Sequence, residues 1–232
     1  MVESGPGQRI WRWLERFGFS DDPFAVYEAD QERTMLPGLF IDRPYVMRMV
    51  GDPARPQSAF LLANRGTGKT ATREIVAYEH IHGRYQRRAL PVRYCDFGFL
   101  LDRAGADPAH VTARHHADAI VRAVLQTLAD DMPPAFFDPL PPTETALLLS
   151  LIAEFASPVV RLKLARCVSG EAAAIPWNDL SAAEILTTLV GIVRRLGASE
   201  KSCYEALYLL VDRADETEFG AAALLPILKP LI

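Results

Sequence analysis

The sequence predicts an α/β fold in which helices cover a parallel sheet. Three short apolar runs, each bounded by turn residues, are typical of buried parallel strands. Longer segments with helical periodicity separate them, in the order strand, helix, strand, several helices, strand, helix. A glycine-rich turn with a lysine and a threonine joins the first strand to its helix. Together these observations predict a helix-rich, three-layer sandwich.

The composition is that of a globular chain with a sizeable core. Of its 232 residues, 50% are hydrophobic and 23% are charged, which argues against disorder. The formal net charge of −4 does not favour nucleic acid as a partner. No apolar run approaches the roughly 18–20 residues that span a bilayer, so we expect no membrane association. Three scattered cysteines without a C-x-x-C pair predict reduced thiols and a cytoplasmic location.

The N-terminal part, residues 1–57, is predicted to be a lead segment with short helices. Gln8–Phe17 has apolar residues at helical spacing, and Gly18 ends this helix. A second helix is predicted over Tyr45–Val50.

Two separate pieces of the chain, residues 58–97 and 205–232, are predicted to form the core of the fold. The predicted strands are Ser58–Ala63, Ala89–Phe97 and Ala206–Val211. The predicted helices of the core run from Thr67 to about His82 and from Ala221 to Ile232.

Residues 98–204 are predicted to form a large helical insertion between the two pieces of the core. Helices are expected over His110–Asp131, from Thr143 onwards, and from Ser181 to Leu196, where Ser181 and Glu184 have the spacing of a capping box. Two interpretations stay open at this point. The insertion is either a subdomain with a surface for a partner, or a set of helices that simply cover the sheet.

The glycine-rich segment is typical of a phosphate-binding loop, or P-loop. It matches the pattern G-x-x-x-x-G-K-[ST] except at its first position, Ala63. Gly66 and Gly68 accept the positive φ angles that curl a backbone around a phosphate and aim its N–H groups inward. We expect Lys69 to contact phosphate and Thr70 to offer its hydroxyl to Mg²⁺. The predicted nucleotide-binding residues are Ala63, Asn64, Arg65, Gly66, Thr67, Gly68, Lys69, Thr70 and Ala71.

A P-loop also needs a carboxylate at the end of a neighbouring strand to orient the magnesium ion. Asp212 directly follows an apolar strand and is the predicted partner of Thr70 in holding Mg²⁺. Arg213 occupies the next position, where many ATPases have the glutamate that polarises the attacking water. Asp215 and Glu216 are therefore the predicted catalytic residues, with a solvated loop as the alternative interpretation of both.

These motifs resemble the AAA+/STAND group of P-loop ATPases, including its origin-recognition-like and NACHT-like members. Gly18–Phe24 is similar to the lead segment of that group, Arg65–Thr70 to its R-G-x-G-K-T loop, and Asp212–Glu216 to its D-x-x-D-E variant of the Walker B motif. The resemblance implies binding of ATP with Mg²⁺, and a switch driven by ATP binding and hydrolysis. It also implies that Pro23 and Phe24 border the adenine.

The resemblance further implies a sensor strand, an arginine finger and a helical lid downstream of Asp212. Because the chain ends soon afterwards, we expect a C-terminally truncated ATPase domain whose hydrolysis is weak or absent. A protein client or self-association is the expected partner. ATP is favoured over GTP because no N-K-x-D motif is present, and no histidine spacing predicts a metal site beyond Mg²⁺.

Alternative functions stay open at this stage. Arg213 in place of the catalytic acid favours a nucleotide-binding switch without turnover. A basic cluster before and within the second strand leaves a DNA-associated ATPase open, although a solvated surface is the simpler interpretation. That cluster consists of Arg84, Arg87, Arg88 and Arg93. A small-molecule kinase is a further alternative, but no arginine-rich lid segment supports it.

Overall fold

The computed structural model describes most of the chain and provides the bounds of its helices and strands. It covers residues 13–18, 36–41, 43–55, 57–59, 61, 66–83, 89–138, 140–196, 204–213 and 224–231. The α-helices are α1 (Leu36–Leu39), α2 (Pro44–Val50), α3 (Lys69–Ile81), α4 (Phe97–Arg103), α5 (Ala113–Asp131), α6 (Pro142–Phe155), α7 (Pro158–Leu164), α8 (Ala182–Val193) and α9 (Leu224–Leu228). The strands are β1 (Ala89–Tyr94) and β2 (Ala206–Val211).

The two strands pair in parallel, as predicted. Ala89 is opposite Ala206, and the register continues to Tyr94 opposite Val211. The predicted bounds of β2 are confirmed. The strand ends at these bounds because charged residues flank its apolar run on either side. The prediction that the β1 strand extends to Phe97 is wrong. The side chain of Asp96 accepts a hydrogen bond from the backbone N–H of Phe99 at 3.1 Å, and this cap starts helix α4 at Phe97.

The first predicted strand, Ser58–Ala63, falls largely on residues outside the described part of the chain. Positions 58, 59 and 61 are described, and they are not in a strand. Within the described ranges the sheet therefore has two strands, in a mixed α/β fold that is rich in helix. The prediction of a strand over Ser58–Ala63 is wrong at those three positions, and its other positions lie outside the described residues.

The sheet has helices on both faces. Side chains alternate between the faces of a strand, so Leu207 and Leu209 lie on one side and Tyr208 and Leu210 on the other. Leu207 and Leu209 pack with the core that contains α5, whereas Leu210 packs with the core formed by α1, α2 and α3. Helix α3 thus lies over one face and helix α5 over the opposite face.

Helices α4 to α8 share one hydrophobic core with β1. Leu125 and Leu128 of α5 are buried in it together with Leu90 and Val92 of β1. Helix α5 contacts β1, α6, α7 and α8, which makes it the central element of this layer. The predicted boundaries at residues 98 and 204 remain untested. Of the described helices between them, α5 packs on β1, and α4, α6, α7 and α8 pack on α5. The helices share one core with β1, and both interpretations of residues 98–204 stay open.

Several local predictions are matched by the described helices. Ser181 and Glu184 form the predicted capping box, and Ser181 Oγ accepts the Glu184 N–H at 3.3 Å. Residues 13–16 are helical and the turn ends at Gly18, while the first half of the predicted helix Gln8–Phe17 lies outside the described residues. Helix α2 begins at Pro44, one residue before the predicted start. No helix in the described part of the chain has both the length and the apolar character needed to cross a bilayer.

A buried histidine joins helix α5, strand β1 and helix α9. The Nε2–H of His116 donates to the carbonyl oxygen of Ile227 at 2.7 Å, because a carbonyl can only accept. His116 Nδ1 therefore accepts from the hydroxyl of Tyr94, at 2.6 Å. Burial lowers the pKa of His116, against an opposing contribution from its hydrogen bond to Ile227. The neutral imidazole fits this site with both nitrogens bonded.

We expect the stability of the fold to fall as the pH drops below about 6.5. Burial lowers the folded-state pKa of His116 and of His80. Each histidine is therefore protonated at a higher pH in the unfolded chain than in the folded protein. Stability from this source is complete above the unfolded-state pKa and declines below it toward the folded-state value. Urea unfolding at about pH 7.5 and about pH 5.5 measures the decline.

His116→Gln should make that decline shallower, because one of the two titrating groups is removed. His110→Gln is the matched control, since the side chain of His110 is exposed to solvent and should leave the decline unchanged. An identical pH dependence in wild type and His116→Gln would contradict this account.

Candidate functional site

The two glycines of the predicted phosphate loop have the backbone conformation that the motif requires. Gly66 has φ +81° and Gly68 has φ +86°, both in the left-handed region that favours glycine. A Cβ atom built at either position would meet nothing within 4 Å. The requirement for glycine at both positions is therefore conformational, and the surroundings of the turn are open. Gly66, Thr67 and Gly68 are exposed.

Helix α3 begins directly after this turn and presents its N-terminus to it. Gly68 is the N-cap, and having no side chain it supplies no side-chain cap to the helix. No acidic residue stands in the first turn, so no carboxylate of the helix itself occupies the positive end of its dipole. Lys69 and Thr70 are the first two residues of the helix, and Ala71 packs against the core of α1 to α3. This arrangement suits an anion at the turn.

Asp212 lies where the carboxyl end of β2 meets the start of α3. Its backbone N–H donates to the carbonyl of Tyr94 at 3.4 Å, which continues the pairing of the two strands by one step. The hydroxyl of Thr70 donates to Asp212 Oδ2 at 2.9 Å, across 142 positions of sequence. The predicted pair of magnesium ligands is therefore brought together.

The other carboxylate oxygen of Asp212 is held by the backbone. The N–H of Arg213 donates to Asp212 Oδ1 at 3.0 Å. Arg213 has φ +64°, an unusual conformation for a residue with a side chain, and it costs on the order of 1–2 kcal/mol. The turn after β2 therefore carries local strain while it orients the carboxylate.

A chain of alternating charges leads from Asp212 into the interior, and we call it the charge ladder. Its members, in order of contact, are Asp212, Arg73, Glu74, Arg93 and Asp131. The successive nitrogen–oxygen distances are 3.1, 2.9, 2.8 and 2.6 Å. Each positive side chain has a carboxylate on both sides, which makes the burial of these charges tolerable.

Arg93 is a member of this ladder and not of a basic surface. Its guanidinium donates to both oxygens of Glu74 and to Asp131, and its side chain is 15% exposed. Burial acts to lower the pKa of Arg93, but the hydrogen bond to Glu74 and the charges of Asp131 and Glu74 raise it above its usual value. The interpretation of Arg93 as part of a solvated or nucleic-acid-binding cluster is therefore wrong. The other members of that cluster, Arg84, Arg87 and Arg88, lie outside the described residues.

Several predicted site residues lie outside the described part of the chain. They are Ala63, Asn64 and Arg65 of the loop, Asp215 and Glu216 after β2, and Pro23 and Phe24 of the lead segment. Their predicted roles stay predictions.

The Thr70 hydroxyl and the Asp212 carboxylate are oxygen donors of the kind that Mg²⁺ takes. Adjacent ligands of an octahedral Mg²⁺ with metal–oxygen distances of about 2.1 Å are themselves about 2.9 Å apart. The distance from Thr70 Oγ1 to Asp212 Oδ2 is 2.9 Å, which the hydrogen bond between them by itself explains. Mg²⁺ usually takes only one or two protein ligands and completes its shell with phosphate oxygens and water. Among the residues that the structure describes, no group of three or more His, Cys, Asp or Glu could hold a metal ion.

No protein-family model, curated protein or solved structure matches this chain.

Sequence reasoning did not single out Arg73, Glu74 or Asp131. A signal was present, because Arg73 and Glu74 interrupt a helix face that continues with buried apolar residues. Arg93 likewise stands inside an apolar strand. Charged residues in buried elements are seldom unpaired, so their number and sign could have suggested an ion network.

Proposed function

We propose that this chain binds ATP with Mg²⁺ and acts as a P-loop ATPase of the AAA+/STAND type, using nucleotide to drive a conformational or assembly switch. The observation that carries the proposal is the contact between the Thr70 hydroxyl and the Asp212 carboxylate. In P-loop proteins the threonine of the loop and the aspartate after a neighbouring strand hold the ion between them. A glycine-rich turn that arose by chance would not be expected to contact an aspartate at the carboxyl end of a parallel strand.

The chemistry follows from this arrangement. The turn at Gly66–Gly68 and the N-terminus of α3 bind the phosphates, and Lys69 adds a positive charge at the same end of the helix. Thr70 and Asp212 hold the magnesium ion, which neutralises charge that develops on the phosphates. Asp215 and Glu216 are the proposed groups that orient water. A three-layer sandwich, with a parallel sheet larger than the two described strands, belongs to the same proposal.

Replacing Lys69 with alanine should weaken the binding of Mg²⁺–ATP by at least about tenfold, or about 1.4 kcal/mol. The reason is the loss of the cation that follows the loop, and isothermal calorimetry measures the change. Lys163→Ala is the matched control, because Lys163 is a surface lysine on α7 that pairs with Asp130. Equal affinity for ATP in wild type and Lys69→Ala would remove the proposal.

A nucleotide-binding switch without turnover is the second candidate. The observation that favours it is Arg213, which follows Asp212 in a left-handed conformation and fixes it through its backbone N–H. The side chain of Arg213 has no carboxylate with which to polarise an attacking water. Steady-state ATP turnover that is abolished by Asp215→Asn or Glu216→Gln would decide against this second candidate.

A further inference from the structure

Arg73 stands between the candidate magnesium site and the protein interior. It lies one helical turn after Lys69, on α3, and only 6% of its side chain is exposed. Its Nη1 contacts Asp212 Oδ2 at 3.1 Å, the same oxygen that accepts the Thr70 hydroxyl. A cation of the protein therefore already sits against the carboxylate oxygen that a metal ion would approach.

The guanidinium of Arg73 is held in place on its other side. Its Nε and Nη2 both donate to Glu74 Oε1, at 3.1 and 2.9 Å, and Nη1 also donates to Cys95 Sγ at 2.8 Å. Glu74 is fixed in turn by two hydrogen bonds from Arg93 Nε and one from Arg93 Nη2. Because arginine presents its donors in a planar fork, these contacts leave Arg73 little freedom to turn away from Asp212.

A fixed cation at this position changes what the site can bind. A metal ion that coordinates Asp212 Oδ2 is brought close to the guanidinium, and the repulsion between the two cations opposes binding. The phosphates of a nucleotide add negative charge beside both cations and offset that repulsion. In the absence of metal and nucleotide, Arg73 compensates the negative charge of the Asp212 carboxylate.

We propose that Arg73 is a positioning residue that competes with Mg²⁺ for Asp212, so that the chain takes up Mg²⁺ together with nucleotide and not alone. This inference rests on the proposed function and adds to it the regulation of metal binding. Glu74 sets the strength of the competition, because its carboxylate shares the charge of Arg73 with Asp212.

The test is the affinity of the nucleotide-free protein for Mn²⁺, measured by electron paramagnetic resonance as a probe of the magnesium site. Arg73→Gln should tighten Mn²⁺ binding roughly fivefold, because the competing charge is gone. Glu74→Gln should weaken it roughly twofold, because the charge of Arg73 then acts more fully on Asp212. Arg103→Gln is the matched control, since Arg103 pairs with Asp118 away from the ladder and should leave the affinity unchanged.

Opposite shifts in the two variants support the inference, since a merely structural role for Arg73 would weaken metal binding in both. Unchanged affinities, or shifts of the same sign, overturn it. Thermal unfolding establishes that each variant folds. If Arg73→Gln does not fold, Glu74→Gln alone decides, and an unchanged or tighter Mn²⁺ affinity overturns the inference.

Titration with ATP and Mg²⁺ in parallel separates this inference from the proposed function. If ATP binding depends on Lys69 while the Mn²⁺ affinities do not split, only the role of Arg73 falls. If wild-type protein binds no ATP, the proposed function falls, and the coupling of metal to nucleotide falls with it.

Discussion

Arg93→Ala should lower the free energy of unfolding by about 3–5 kcal/mol, because it removes the cation that lies between Glu74 and Asp131 in a buried ion network. Glu74, with 2% of its side chain exposed, would lose the partner that binds both of its oxygens. Asp131 would lose its 2.6 Å contact to Arg93 at the last residue of α5. A carboxylate at that end of a helix is opposed by the helix dipole, so its loss of a counterion adds to the cost.

Urea unfolding with linear extrapolation measures this loss. Arg93→Met separates charge from packing, since methionine fills much of the same volume but leaves Glu74 and Asp131 without Arg93. We expect it to be destabilised nearly as much as the alanine variant. Arg103→Ala, at an ion pair whose arginine is 51% exposed, should change stability by no more than about 1 kcal/mol. A loss below about 1 kcal/mol in both Arg93 variants would show that the ladder contributes little.

Leu125→Ala should cost about 2–5 kcal/mol, the range for removing a buried leucine side chain and leaving a cavity. Leu125 is fully buried in the middle of α5, where this helix packs on β1 and on α6 to α8. Leu162→Ala is the matched control on α7, with a side chain 64% exposed, and it should shift stability by no more than about 0.5 kcal/mol.

The same variant tests whether the helical layer and the sheet unfold together. Because β1 and α4 to α8 share one core, hydrogen-exchange protection of the β1 amides should fall along with that of α6. Wild-type protection of β1 in Leu125→Ala would indicate instead that residues 98–204 form a unit of their own. That result would favour the insertion with a partner surface.

Short-range signals in the sequence were enough to predict the elements whose ends are marked by a charged or capping residue. An apolar run closed by Asp212 predicts β2 at its observed bounds, and a serine three residues before a glutamate predicts the start of α8. The phosphate motif likewise specifies Gly66 and Gly68 at positive φ, and Thr70 beside Asp212, because the chemistry of the motif requires these positions. Each of these predictions depends on residues close in sequence or on a known geometry.

The features that were not predicted depend on competition between local signals, or on contacts between residues that are distant in sequence. Helix α4 was missed because Phe97 continues the apolar run of β1, and only the cap from Asp96 ends it. Helix α7 was missed because its charged residues obscure the pattern, although Ser157 caps it and Pro158 begins it. The charge ladder could not be traced from sequence, since Arg93 meets Glu74 and Asp131 only after α3, β1 and α5 have packed together.

The parallel pairing of β1 with β2 also has a consequence for how the chain is made. Strand β1 leaves the ribosome long before its partner, because all of α4 to α8 are synthesised between them. At ordinary rates of translation the wait is on the order of ten seconds. During that time the backbone groups of the β1 segment lack their native partner strand, and neighbouring nascent chains could pair with them. Pro91, in the middle of β1, has no backbone N–H and interrupts the row of donors on which such pairing depends.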